Sequence, residues 1–138
     1  MTDAVKTALE NHAKGYNCAQ AVACAFSRRL GMDEKEVFRI MEGFGFGMGT
    51  MGTCGAVSAM AAVIGMKESD GALEKPATKK ACYRAMKKLT ADFQDKNGSV
   101  VCRELKGVDT GTVLRSCDGC IEDAARLLEE YLKEKQED

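Results

Sequence analysis

Cysteine is the residue type whose number and placement in this sequence point most directly to chemistry. The 138 residues include seven cysteines, a single histidine, His12, and no tryptophan. A metal site would therefore use mainly sulfur ligands, with carboxylates as the other choice. The charged N-terminal segment does not resemble a signal peptide, so we expect a cytoplasmic protein. In that compartment many cysteines indicate metal binding or redox chemistry more than structural disulfides.

Most of the cysteines lie in or beside the first turn of a predicted helix. These are Cys18, Cys54, Cys102, Cys117 and Cys120. A helix N-terminus carries partial positive charge and unpaired N–H groups, which stabilise an anion and lower the pKa of a cysteine there. If these helix ends converge, the sequence predicts a cluster of thiolates. The remaining two, Cys24 and Cys82, lie on apolar stripes in mid-helix and are predicted to be small buried hydrophobic residues.

Cys117 and Cys120 form a Cys-x-x-Cys motif. Such a motif suits a redox dithiol or half of a metal site. No second motif of this kind follows, so a zinc ribbon would lack its other half. Ile121 stands where c-type haem attachment requires histidine, which excludes that reading.

A glycine-rich stretch, GFGFGMGTMGT, leads directly into Cys54. It contains a literal Gly-x-Gly-x-x-Gly, but a dinucleotide fingerprint follows a strand, and the segment before this one is predicted to be helical. Glycines entering a helix can instead present backbone N–H groups to a thiolate, a cluster sulfide or an oxyanion. The predicted cofactor-binding residues are Gly49, Gly52, Thr53 and Gly55. The alternative is a tight crossing in which helices pack against glycine backbone.

The elements that would position these residues are all helices. Apolar spacings of three and four predict helices near residues 3–15, 17–31, 33–43, 54–64, 77–96, 100–106 and 119–134. The predicted N-caps are Thr2 or Asp3, Asn17, Asp33, Thr53 and Ser99. We therefore predict one all-α domain over residues 1–138, a bundle of about five to seven helices. Its glycine-rich loop precedes a helix that is apolar all round and so should be central and buried.

Composition and histidine count exclude several classes of function. The net charge of −1 argues against a nucleic-acid-binding protein. No apolar run reaches the roughly 18 residues that indicate a membrane-spanning helix, so we expect no membrane insertion. A serine hydrolase triad is not evident, because we interpret His12, in the polar stretch ENHAKG, as a surface residue near a helix end.

Four motifs occur in this order: YNCAQAV, GTCGAVSA, CRELKG and a last cysteine before an alanine-rich helix. Together they resemble the C_GCAxxG_C_C family of redox-active proteins. The resemblance extends to DAARLLEE and implies a redox-active role, with genes often near transporters, but neither substrate nor defined reaction. It carries the family cysteines over to Cys18, Cys54, Cys102 and, from its spacing to the paired alanines, Cys117. Cys120 is then an additional cysteine. One departure is Ala59, which stands where the central motif closes with glycine.

Three functions remain open at this point. In the first, an oxidoreductase-type redox protein holds an iron–sulfur cluster or another thiolate-bound metal. Its metal ligands would be Cys18, Cys54, Cys102, Cys117 and Cys120.

The second function is metal-free thiol–disulfide exchange with Cys54 as nucleophile. The resolving cysteine would be Cys18, Cys102 or Cys117, and Cys117 and Cys120 would be a second exchanging pair. Arg103 and Arg115 would favour nearby thiolates. The third is a non-catalytic protein that binds zinc, a soft metal or a small anion. The expected partner is a redox partner or a transporter-associated protein, and the oligomeric state is open.

Overall fold

The helical periodicity of the sequence is realised throughout the computed structural model, which describes residues 2–137 and confirms an all-α domain. Its seven α-helices are α1 (Asp3–Ala13), α2 (Cys18–Ser27), α3 (Glu34–Met41), α4 (Gly55–Glu68), α5 (Lys79–Asn97), α6 (Cys102–Leu105) and α7 (Cys117–Glu137). Within this range no strand forms, and no helix is long and apolar enough to cross a membrane. The predicted domain of residues 1–138 includes two terminal residues that lie outside the described part.

Helix α4 is the centre of the bundle, as its uniformly apolar sequence predicts. It packs against α2, α5 and α7. Fully buried side chains follow it on several sides, including Ala59, which stands where the family motif has glycine. Of the two mid-helix cysteines, Cys24 is buried in the core as predicted, whereas Cys82 is only half-buried and packs against that core.

Two predicted features of α4 are corrected by the structure. Thr53 does not cap the helix, because it pairs in extended conformation with Val101, and Cys54 occupies the N-cap position instead. The helix also continues past Gly65 to Glu68. Gly65 has ordinary helical backbone with no left-handed φ, so nothing ends the helix there.

The start of α2 is held by a capping box, and its N-cap residue is Asn17, as the sequence predicts. The Asn17 side chain accepts from the Gln20 N–H at 2.9 Å, and the Gln20 side chain accepts from the Asn17 N–H at 3.0 Å. The Asn17 amide also donates to the Glu42 carbonyl at 2.8 Å. This bond fastens the N-terminus of α2, where Cys18 lies, to the chain that leads into the glycine-rich loop.

The glycine-rich loop is a tightly wound segment with left-handed backbone at residues that carry side chains. Phe46, Met48 and Met51 have φ of 54°, 57° and 59°. Such conformations cost roughly 1–3 kcal/mol each and cluster at functional sites. At Gly47 a side chain is excluded outright, because a Cβ would lie 2.4 Å from the Gly52 nitrogen.

Candidate functional site

A single cavity of about 200 Å³ is lined by the five cysteines that the sequence places near helix N-termini. Its other walls are Gly55, Phe46 and Leu105, with His12, Asn17, Lys106 and Arg115 as the polar members. Among the described residues no carboxylate lines it. The helix ends therefore converge, and the result is a thiol-rich cavity bordered by cationic side chains.

Two backbone hydrogen bonds place the second and third of these cysteines beside each other. The Cys54 N–H donates to the Val100 carbonyl at 2.8 Å, and the Cys102 N–H donates to the Gly52 carbonyl at 2.6 Å. The end of the glycine-rich loop and the segment before α6 thus run antiparallel for a short distance. Each strand-like segment ends at a helix N-terminus that presents its cysteine to the cavity.

Cys54 is the thiol most strongly activated by its surroundings. Its pKa is lowered to about 7 by a hydrogen bond from the Cys120 thiol, by N–H groups that Ala56 and Val57 donate, and by the charge of Lys106. Burial acts in the opposite direction. The N–H groups belong to the first turn of α4, so the helix N-terminus acts here as its geometry predicts. At neutral pH a large fraction of Cys54 is thiolate.

Cys120 is the partner of this thiolate. Its own pKa is strongly raised, because ionisation would lose the hydrogen bond to Cys54, and burial and the neighbouring sulfur charges add to the shift. The side chains of Cys54 and Cys120 are only 6% and 3% exposed. Of the two thiols, Cys54 is therefore the one that ionises more readily, and Cys120 is the one that holds its proton.

Cys18 and Cys102 are the thiols that remain protonated at neutral pH. Burial raises the pKa of each, although the Phe46 N–H and the Lys106 charge respectively oppose it. Gly55 permits the close approach of α2 to α4, because a Cβ there would lie 2.4 Å from the Cys18 sulfur. Glycine at this position is thus a packing requirement of the site.

Lys106 is a functional candidate that the sequence reasoning did not include. Its Nζ lies 3.5 Å from the Cys117 sulfur and 5.5 Å from the centre of the Phe46 ring. The charge of Cys117 raises the pKa of Lys106, so the amine stays cationic. The signal was available in CRELKG, since Lys106 follows Cys102 by one helical turn and shares its face.

The two arginines predicted to favour thiolates differ in position. Arg103 is directed away from the cavity and pairs with Asp109 at 2.7 Å, which corrects its predicted role. Arg115 does line the cavity. Its guanidinium is anchored by the buried carboxylate of Asp123 at 3.0 Å, and Lys96 binds the same carboxylate at 2.7 Å. Arg115 is thereby held at the cavity wall.

His12 is not simply a surface residue near a helix end, as the sequence suggested. Its Nδ1 lies 2.6 Å from a carboxylate oxygen of Asp118, inside the Cys-x-x-Cys motif, and the ring lines the cavity. The contact joins α1 to α7 across more than a hundred residues of sequence. No local pattern could have indicated it.

The four residues predicted to bind a cofactor occupy different positions. Gly55 lines the cavity, whereas Gly49 and Thr53 are exposed and lie outside it. The N–H of Gly52 donates to the Gly47 carbonyl at 2.9 Å, and its own carbonyl accepts from Cys102. The backbone of the loop is thus used mainly to build the turn that delivers Cys54.

The five predicted metal ligands lie around one cavity but do not form a metal site. Across residues 2–137, no group of three or more His, Cys, Asp or Glu side chains is arranged to hold a metal ion. The five cysteines share a cavity, and thiolates are the donors that iron and zinc prefer. The donor chemistry fits a metal, whereas the spacing observed does not assemble a site.

Comparison with known proteins agrees with the motifs. A family model described as "Putative redox-active protein (C_GCAxxG_C_C)" matches residues 16–131, a range that contains all seven cysteines. No curated protein and no solved structure gives a match. The chain belongs to the C_GCAxxG_C_C family of redox-active proteins.

Proposed function

We propose that the protein carries out thiol–disulfide exchange, with Cys54 as the nucleophile and Cys120 as the resolving thiol. The observation that carries this proposal is the burial of Cys54 and Cys120 in one cavity, with Cys54 at the N-cap of α4. The influence of the Cys120 thiol, which lowers the pKa of Cys54, agrees with it. A thiolate beside a protonated thiol is the arrangement that disulfide exchange requires. The sequence predicts Cys18, Cys102 or Cys117 as the resolving residue. We propose Cys120 instead, because it is buried beside Cys54 in the same cavity and most strongly affects the pKa of Cys54.

The reaction begins when the Cys54 thiolate attacks one sulfur of a substrate disulfide. The S–S bond of the substrate breaks, its other half departs as a thiolate, and a mixed disulfide forms on Cys54. Cys120 then gives its proton to a departing thiolate and attacks the Cys54 sulfur. The products are a Cys54–Cys120 disulfide, one thiol and one thiolate, so two electrons have passed to the substrate.

The oxidised pair is reset by a thiol or dithiol reductant, which we propose is supplied by a redox partner. Cys117 is half-buried, more exposed than Cys54 or Cys120, and lies one helical turn before Cys120. Its thiolate can attack the Cys120 sulfur and move the disulfide to the Cys117–Cys120 pair. This second pair then meets the reductant closer to the surface. A transporter-associated protein is another candidate partner.

The test is a single-turnover reaction of the fully reduced protein with bis(2-hydroxyethyl) disulfide, a small neutral substrate. Release of mercaptoethanol, followed in quenched samples, should reach two equivalents per protein, one from each half of the substrate. Cys120→Ser should stop at one equivalent, with the other half retained on Cys54. Cys54→Ser should lose the fast phase.

The matched control is Cys82→Ser, on α5 and outside the cavity. It removes one thiol of the seven and should leave both equivalents intact. Fast turnover that survives Cys54→Ser, or a reduced protein that releases no mercaptoethanol, would contradict the proposal.

A second candidate function is the binding of an iron–sulfur cluster or another thiolate-bound metal. The observation that favours it is the convergence of five cysteines on one cavity with apolar walls. The residues that would hold the group are Cys18, Cys54, Cys102, Cys117 and Cys120. A cluster would supply one-electron transfer.

Iron and inorganic sulfide are measured in protein purified without oxygen, before and after reconstitution. Stoichiometric iron and sulfide would support the cluster. Zinc alone, with unfolding on chelation, would instead support the non-catalytic metal-binding function. Protein that stays free of metal after reconstitution would leave disulfide exchange as the proposal.

A further inference from the structure

The cavity restricts the size of any substrate that reaches the reactive pair. At about 200 Å³ it is smaller than the roughly 300–1,000 Å³ typical of pockets for drug-sized ligands. Cys54 and Cys120 are almost completely covered, at 6% and 3% exposure. A disulfide within a folded polypeptide cannot approach such sulfurs without opening the protein. A low-molecular-weight disulfide can enter the cavity itself.

The charges around the cavity favour a substrate with one sign of charge over the other. Lys106 faces it, and no described carboxylate lies within ion-pair distance of the amine. Arg115 contacts the carboxylates of Asp123 and Glu122, which Lys96 and Arg126 also bind. These three cations and two carboxylates together keep one positive charge. The Cys54 thiolate offsets one of the two remaining positive charges, and one stays uncompensated.

Two other charged groups face this region without reversing that sign. Asp118 is paired with His12 and does not line the cavity. Glu122 lies near Arg115 at 3.8 Å and near Arg126. The walls formed by Phe46 and Leu105 are apolar, which strengthens the field of the cations inside the cavity.

On the basis of the thiol–disulfide function proposed above, we infer that the substrate of the Cys54–Cys120 pair is a small disulfide that carries negative charge. Once the substrate sulfur is joined to Cys54, the thiolate charge leaves the cavity with the departing group. Lys106 then faces an uncharged sulfur and is free to hold an anionic group of the bound half. The same charge also stabilises the departing thiolate in the first step.

The test compares three small disulfides of different charge on the full-length reduced protein. The probes are dithiodiglycolate, which is anionic, bis(2-hydroxyethyl) disulfide, which is neutral, and cystamine, which is cationic. Single-turnover rate constants are divided by those of the same probes with dithiothreitol, which removes differences in intrinsic reactivity. The expected anionic-to-cationic ratio is about ten or more, because a cleft of one sign raises association rates by that order.

Lys106→Gln should bring the anionic-to-cationic ratio close to one, and Lys106→Glu should invert it. Both variants also alter the pKa of Cys54, but that change affects all probes alike and cancels in the ratio. The matched control is Arg103→Gln, a cation of the same short helix that is paired with Asp109 outside the cavity. It should leave the ratio unchanged.

Salt titration of the unmodified protein tests the same inference without depending on the folding of a variant. The ratio should fall toward one as ionic strength rises from about 0.01 M to 1 M, where screening becomes short-ranged. Reduction of the neutral probe with a ratio near or below one would overturn the inference and leave the proposed function intact. Failure to reduce any of the three probes would overturn the proposed function itself.

Discussion

The hydrogen bond from Cys120 to Cys54 should determine the reactivity of the site, and Cys120→Ala removes it. The first-turn N–H groups of α4 and the charge of Lys106 remain in that variant. Burial of Cys54 also remains and continues to raise its pKa. The variant thus isolates the largest of the stabilising contacts on the Cys54 thiolate.

The size of the effect follows from the strength of such a bond. A hydrogen bond to a charged group contributes about 1.5–3 kcal/mol, and one pKa unit corresponds to about 1.4 kcal/mol. Cys120→Ala should therefore raise the pKa of Cys54 from about 7 by about one to two units. Cys120→Ser retains a donor of similar position, so it should keep most of the lowered pKa.

The assay is the pH dependence of iodoacetamide alkylation at Cys54, followed by mass spectrometry of the peptide that contains it. The midpoint should lie near pH 7 in the unmodified protein and in Cys82→Ala, which changes a thiol outside the cavity. It should rise in Cys120→Ala, with circular dichroism confirming an intact fold. An unchanged midpoint in Cys120→Ala would refute the assignment of Cys120 as the partner of the thiolate.

Two further predictions concern stability. Gly55→Ala should lower the free energy of unfolding in urea by about 1–3 kcal/mol, because its Cβ would meet the Cys18 sulfur at 2.4 Å. Gly65→Ala, on the same helix with nothing within 4 Å of its Cβ, should be neutral or stabilising; equal losses would contradict the packing argument. Asp123→Asn should cost about 2–3 kcal/mol at pH 7, because it removes a buried carboxylate that binds two cations. Burial raises the pKa of Asp123, but hydrogen bonds, first from Lys96, outweigh it and leave the pKa below 3.8, so the stabilisation is present above that pH and lost as pH falls through the lower value. Acid unfolding that is identical in Asp123→Asn would contradict this.

Local patterns were sufficient for the elements that carry the cysteines. The apolar spacing in CAQAVACAF and the polar residue before it predict α2 and its cap, and both are observed. The uniformly apolar character of α4 predicts its central position in the same way. These features depend on residues within a few turns of one another, which a sequence displays directly.

The failures of sequence reasoning arise where contacts join distant segments. Thr53 has the right chemistry for a cap, but its pairing with Val101 gives the position to Cys54. The spacing of Cys120 sets it outside the family pattern and gives no sign that it lines the same cavity as Cys54. Neither contact has a local signature, because each depends on how the glycine-rich loop and the start of α7 meet.

For the charged residues of the site, too, the local sequence does not determine which side chain faces the cavity. Arg103 and Lys106 lie in one short motif, and only the three-dimensional path of α6 decides which of them faces the cavity. The nearest sequence signal, helical spacing from Cys102, favours Lys106 once the helix is known to begin at that cysteine. The choice between Arg103 and Lys106 therefore depends on where α6 begins, and sequence patterns determine helix boundaries poorly.

Disulfide mapping tests the central claim most directly. Protein purified without oxygen is equilibrated in glutathione buffers of increasing potential, quenched in acid, alkylated and digested with trypsin and an Asp-specific protease. The second protease is needed because Asp118 lies between Cys117 and Cys120, so its cleavage separates them. We predict that the first disulfide to form reversibly joins Cys54 to Cys120. A first disulfide that excludes Cys54, or five cavity thiols that stay reduced at every potential, would contradict the account.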